Sequence, residues 1–365
     1  MKRSIDLSFL LVVWALVICG LVIFTSAALG LLAHNNGNVF TSVAISQVLL
    51  GLVCGAVLFF LCSRMDYRLW RKYIPYVFIG ALFLTGLTLV PHIGLSLKGA
   101  SRWIVIGPLS FQPEEILKFA TVMFLATYYS TNYKAVQTIR GGIVPLVIIV
   151  GISDALLLAQ PDTSGAIILG LTCVAMLFAA GGRVTHLLLL ALVGLLIVGA
   201  AAFERPYVAQ RIQTFIHQES DPQGSGWQIQ QALISIGSGG WTGVGLGQGV
   251  EKFSYLPEPI GDSVFAVAGE EFGFLGSAML VILFGIFGLL GFRIASRATD
   301  PFGGLLVIGY TVLILGQSFL NMASIIGLIP LIGVPLIFVS HGGTALALAL
   351  AETGVVLSVS RRMRA

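Results

Sequence analysis

Runs of about 20 apolar residues, enough to cross about 30 Å of hydrocarbon as a helix, recur along almost the whole chain between short polar breaks. Ten such runs are predicted as spans: 8–32, 40–62, 74–93, 113–131, 142–159, 164–181, 185–203, 263–291, 302–326 and 334–359. One break is far longer than the others, a polar interlude from about residue 203 to 262. The pattern predicts an all-α polytopic membrane protein of about ten transmembrane helices, a single domain over residues 1–365, with a large extracellular loop between helices 7 and 8.

Charge fixes the orientation. With the N-terminus inside, Lys2, Arg3, Arg64, Arg68, Arg71, Lys72, Lys134, Arg140, Arg183, Arg293, Arg297, Arg361, Arg362 and Arg364 all fall on the cytoplasmic side. This is the bias toward Lys and Arg expected of cytoplasmic loops, and it places both termini in the cytoplasm. Acidic residues run the other way: only Asp6, Asp66 and Asp300 fall inside. The chain is 57% hydrophobic and 10% charged, against about 25% charged in soluble domains. Its net charge of +4 reflects short juxtamembrane loops and gives no reason to expect nucleic acid as a partner. Ser26-Ala27-Ala28 loosely imitates a signal-peptidase site, but the first apolar run exceeds the 7–15 residues of a signal peptide core, so it is read as a retained span. Cys19, Cys54, Cys62 and Cys173 lie in predicted helices without metal-ligand spacing and indicate neither a disulfide nor zinc.

Ionisable residues in or beside spans are costly and point to function, and here they gather toward the outer side in four clusters. The first is Lys98-Gly99-Ala100-Ser101-Arg102-Trp103 with Phe111-Gln112-Pro113-Glu114-Glu115 and Lys118. Pro113 suits a first helical turn, and Glu115 and Lys118, three apart, share a face. The second, Gln160-Pro161-Asp162-Thr163-Ser164-Gly165, also reads as ordinary turn chemistry. The third is the long loop, with Arg205, Arg211, Asp221 and glycines at 237, 239, 240, 243, 245, 247 and 249. Those glycines match neither the dinucleotide fingerprint nor the phosphate loop. The fourth is Tyr255-Leu256-Pro257-Glu258-Pro259-Ile260-Gly261-Asp262, where Asp262 stands either as an N-cap or as a functional carboxylate.

These clusters, in this order, resemble the SEDS family (shape, elongation, division and sporulation proteins, typified by RodA, FtsW and SpoVE) over nearly the whole chain. Gly316-Gln317, Asn321, Pro330, Pro335 and Ser340-His341-Gly342-Gly343 extend the likeness. The resemblance implies a peptidoglycan glycosyltransferase of the bacterial cytoplasmic membrane. Such an enzyme polymerises lipid II at the outer face, releases polyprenyl diphosphate, and works with a class B penicillin-binding protein and other divisome or elongasome membrane proteins. It implies Asp262 as the catalytic carboxylate and a substrate-facing set of Trp103, Arg102, Glu115, Lys118, Asp162 and Glu258. Of the outer-side cations, Arg102, Lys118, Arg205, Arg211 and Lys252 are candidates for the diphosphate. A divalent cation there is compatible with the chemistry, though no ligand cluster demands one. Residues 251–258 look like the division or sporulation branch. Departures are Glu114 for a Ser, His341 for a Tyr and Thr163-Ser164-Gly165 for a Leu-Gly-Thr pattern. Two other functions fit a polytopic protein of this shape, a lipid II flippase and a non-catalytic scaffold that activates a penicillin-binding protein.

Overall fold

The computed structural model describes residues 5–33, 37–91, 94–97, 100–106, 109–204, 206–217 and 224–363. Helices stand at every predicted span. They are α1 (Leu7–Ala33), α2 and α3 (Gly37–Ile45 and Gly55–Arg64, joined by a π-helical stretch, Ser46–Cys54), α4 (Tyr67–Leu87), α5 (Pro113–Thr131) and α6 (Val144–Ala159). After these come α7 (Thr163–Ala179), α8 (Val184–Glu204), the loop helices α9 (Pro206–Ile216), α10 (Ser225–Ser238) and α11 (Glu251–Ser254), then α12 (Val264–Ser296), α13 (Pro301–Ile325) and α14 (Gly343–Ser360). Among the described residues, six helical spans are long and apolar enough by themselves to cross a membrane.

Apolar side chains cover lipid-facing surfaces as well as the core, so amphipathicity does not decide which helix is central. Burial does: α14 is enclosed along almost its entire length. Gly55 of α3 and Gly354 of α14 let these two helices approach closely, their missing side chains leaving room for Ala347 and Phe59 backbone atoms, as small residues do in membrane bundles.

The loops predicted to be cytoplasmic meet at one end of the bundle. Arg68 pairs with Asp300 at 3.1 Å and Arg362 with Asp66 at 3.2 Å, while the Asp6 amide donates to Ser360 Oγ at 3.3 Å. The start of α1 and the end of α14 therefore lie together.

The structure corrects two boundaries and shows ordered elements in two connections. The third span starts earlier, at Tyr67, because the Asp66 carboxylate accepts from the Arg68 amide and caps the helix. The connection after α4 is not plain loop: β1 (Gly94–Leu97), β2 (Ala100–Ile106) and β3 (Leu109–Phe111) form an antiparallel sheet in the order β1-β2-β3. The last span starts at Gly343, not 334. Residues 326–342 are non-helical, and Ser340 Oγ occupies the Leu336 amide at 2.8 Å.

The described part of the long loop is largely folded against the bundle. α10 packs along α12, burying Ile229 and Ala232. The glycine-rich turn after it enters a break in α12 at Gly273 (φ 66°, ψ −164°). There the amides of Val244 and Gly245 donate to the carbonyls of Glu270 and Glu271 at 3.0 and 3.1 Å. Those of Phe274 and Leu275 donate to Gly240 and Trp241 at 2.9 and 3.1 Å. A helix broken near a membrane needs protein partners for the freed backbone groups, and this turn supplies them.

Candidate functional site

The site is assembled where the segment before α12 meets the connection between α13 and α14. Asp262 is not the N-cap of α12: Ser263 holds that position, without a side-chain cap bond. Asp262 stands immediately before that position and is half-buried.

Its backbone is fixed from the other side by three consecutive bonds. The Ile260 carbonyl accepts from the His341 amide at 2.6 Å. The Gly261 carbonyl accepts from Ser340 Oγ at 2.7 Å. The Asp262 carbonyl accepts from Asn321 Nδ2 at 2.8 Å, and the same amide group reaches the Val334 carbonyl at 2.7 Å. Gln47, in the π-helical stretch, closes the connection by accepting from the Gly342 amide at 3.1 Å. Asn321, Ser340 and Gln47 carried no assigned role in the sequence. Asn321 and Ser340 stood among the residues of the family likeness, and all three were visible as an amide or hydroxyl in an apolar run, where an unpaired group is costly.

A cation faces the carboxylate. Arg211 of α9 donates from Nη1 to the Ile332 carbonyl at 2.9 Å, a carbonyl that also accepts from Ser164 of α7. The next residue, Gly333, has φ +69°. A Cβ built there would lie 3.3 Å from Asp262 Oδ2 and 3.4 Å from Arg211 Nη2. Acid and guanidinium therefore converge on one small space that only glycine leaves open.

A second group borders this one through the N-terminus of α7. Asp162 caps that helix, accepting from the Gly165 amide at 3.1 Å, and pairs with Arg102 at 3.1 Å. Arg102 also donates to the Pro161 carbonyl. Trp103, half-buried, follows Arg102 in β2 and pairs with Leu95 of β1, next to a β-bulge at which Arg102 is the extra residue. Glu258 is exposed with φ +50°, and its carbonyl accepts from the Gly261 and Ser263 amides at 3.0 and 3.2 Å, shaping the turn into Asp262.

Deeper in the bundle, Lys118 binds Glu115 at 2.7 Å and Gln317 Oε1 at 3.2 Å. Gln317 in turn reaches the Pro335 carbonyl at 3.3 Å. Glu352 of α14 faces the interior and lines a small cavity with Glu115 and Gln317.

The predicted residues thus separate by position. Asp262 and Arg211 face each other, Arg102 and Asp162 pair at the neighbouring helix end, and Glu115 and Lys118 support the connection from below. Lys252 joins none of them: its side chain is fully enclosed beside Glu271. Arg205 lies outside the described residues. His341 stands in the α13–α14 connection, stacked 6.2 Å from Phe24. Burial lowers its pKa below the ordinary histidine value, with Glu258 partly opposing the shift. Among the described residues no three His, Cys, Asp or Glu side chains converge to hold a metal.

Fold and site together define a multi-pass helical membrane protein with a carboxylate and a guanidinium set close together at one end of the bundle. The chain matches the FtsW/RodA/SpoVE family model, described as cell cycle protein, over residues 6–365, and it belongs to that family. It is 36% identical over 364 residues to the stage V sporulation protein E of Bacillus subtilis, covering 100% of this chain and 99% of that one. To the probable peptidoglycan glycosyltransferase FtsW of Trichlorobacter lovleyi it is 37% identical over 362 residues, covering 98% and 94%. Among solved structures it is similar to a chain of a peptidoglycan synthase complex that coordinates polymerisation and crosslinking (TM-score 0.81, 26% identity, 99% of both chains). It is also similar to a mutant of the Thermus thermophilus rod shape determining protein RodA (TM-score 0.70, 26% identity, 99% of both chains). The expected family and the multi-pass bacterial membrane location therefore hold.

Proposed function

We propose that this protein is a peptidoglycan glycosyltransferase that polymerises lipid II into glycan strands at the outer face of the cytoplasmic membrane. The observation that carries the reading is the convergence of Asp262 and Arg211 on Gly333, with the Asp262 backbone pinned by Asn321. Glycan extension requires one oxygen to lose a proton and one diphosphate to leave. The Asp262 carboxylate takes the proton of the acceptor sugar's 4-hydroxyl as that oxygen attacks the donor's anomeric carbon. The bond from that carbon to the diphosphate breaks, and the polyprenyl diphosphate departs with the electron pair. General-base assistance of this kind typically contributes about 10²- to 10⁴-fold.

Arg211 is the cation best placed to hold the departing diphosphate, because preorganised positive charge acts where negative charge develops. Arg102, already paired with Asp162, lies one helix terminus away and serves the donor's more distant groups. Lys118 is enclosed with Glu115 and acts through Gln317 and the 326–342 connection. Among the described residues no cluster beside Asp262 is built to hold a divalent cation alone, and the step is derived from this chain's own side chains. A class B penicillin-binding protein is the proposed partner, supported by the likeness to the peptidoglycan synthase complex.

A flippase reading draws on the break in α12, a feature that carriers use near the bilayer midplane. Here the break is filled by the protein's own glycine-rich turn. Purified protein given lipid II in detergent, with and without the partner, decides between the two: glycan product supports the transferase, and its absence in both preparations shifts the function to transport or scaffolding.

A further inference from the structure

The half-helix that carries Asp262 is mechanically separate from the rest of α12. Its residues, 264–272, end at Gly273, whose backbone leaves the helical region, so the long membrane-spanning remainder does not dictate where its N-terminal end points. Something else must hold its far end.

Two buried glutamates at that end do so. Glu270 Oε1 accepts from the amides of Val250 and Glu251 at 2.6 and 3.3 Å, and Oε2 accepts from Ser235 Oγ at 3.1 Å. Glu271 pairs with Lys252, both side chains fully enclosed. Ser26 of α1 completes the group: its Oγ donates to Glu271 Oε1 at 2.6 Å and accepts from Lys252 Nζ at 2.8 Å. Gly30, one turn further along α1, admits the Lys252 carbonyl where a side chain would collide. Lys252 lies ten residues before Asp262 and Glu271 nine after it. The pair therefore ties both ends of the segment at whose tip Asp262 stands.

We infer that the Lys252–Glu271 pair, seated on Ser26, is a positioning clamp that sets the angle of the 264–272 half-helix and through it the place of the Asp262 carboxylate. Lys252 and Glu271 are positioning residues, since neither reaches the site. A buried ion pair is poor evidence for stability alone, because well-packed apolar residues in both positions often serve as well or better. Retaining one in an apolar setting fits a requirement for fixed geometry. The inference rests on the reading of Asp262 as the base.

The test separates folding from positioning. The double substitution Lys252→Met with Glu271→Met removes both charges while keeping similar volume, so the protein is expected to purify monodisperse and melt close to wild type. Its kcat for lipid II polymerisation is expected to fall by roughly 10- to 100-fold, the range a displacement of about 1 Å produces, with KM little changed. A stable double variant with wild-type kcat overturns the clamp. Should the double variant fail to fold, Ser26→Ala is the second probe, expected to lower kcat several-fold at unchanged melting temperature; an unchanged kcat there also overturns it. Asp262→Asn assayed alongside separates the two ideas. An inactive Asp262→Asn with a fully active double variant sinks the clamp alone, whereas a fully active Asp262→Asn removes the base reading and the clamp with it.

Discussion

Asp262 and Arg211 lie on either side of Gly333, each within van der Waals reach of the position a Cβ would take on that glycine. The relationship joins three parts of the chain that are far apart in sequence: the end of the long loop, the amphipathic helix α9 and the connection between α13 and α14. Gly333→Ala is expected to cost about 1–2 kcal/mol from the left-handed backbone and to push a methyl group between acid and guanidinium. Polymerisation should drop by roughly tenfold or more in protein that still purifies as a folded species; retained wild-type activity would show that the space between the two is not used.

Asn321 tests the fixing of the backbone. Its amide serves the carbonyls of both Asp262 and Val334, and Asn321→Leu leaves both without this donor, at about 1–3 kcal/mol for each group that stays buried and unpaired. Thermal unfolding in detergent should register the loss, and kcat should fall more than that loss of folded protein accounts for.

The Lys118–Glu115 pair is nearly buried. Lys118→Met alone leaves an uncompensated carboxylate and is expected to destabilise by about 3–5 kcal/mol, while adding Glu115→Gln should recover most of it. A thermal-unfolding cycle of the two single variants and the double measures the coupling directly.

His341 gives a pH dependence. Its pKa in the folded protein is lowered by burial, so the unfolded chain takes up a proton first as pH falls. The sign follows: stability is intact above the unfolded value of about 6.5 and declines as pH drops below it. His341→Tyr, which keeps a ring beside Phe24, should flatten this decline. Melting temperatures at pH 7.5 and 5.5 for the two proteins check it, and equal slopes would contradict it.

How much of this was legible in the chain depended on distance along it. Glu115 and Lys118 could be paired from their spacing because three residues bring side chains to one helix face. Arg102 and Asp162 were both placed on the outer side, yet nothing in an apolar span records which loop its end will touch. The fixing of residues 260–262 by Asn321, Ser340 and His341 was invisible for the same reason, since it depends on how α13 and α14 converge. Lys252 shows the opposite failure. As a cation of the outer loop it was a candidate for the diphosphate, whereas the structure buries it against Glu271. The clue was the second half of that pair, two adjacent glutamates inside a predicted span, where charges demand partners. The last span was placed too early because Val334, Leu336, Ile337 and Val339 are apolar enough to be helical. Ser340 and the Asn321 amide hold that backbone in another conformation.

The most direct test of the account is the polymerisation of purified lipid II by wild type and by Asp262→Asn, in detergent and with the cognate class B penicillin-binding protein. The account predicts glycan strands from wild type and a loss of about 10²-fold or more in the variant, with both proteins equally folded. Strands made at the wild-type rate by Asp262→Asn would contradict it.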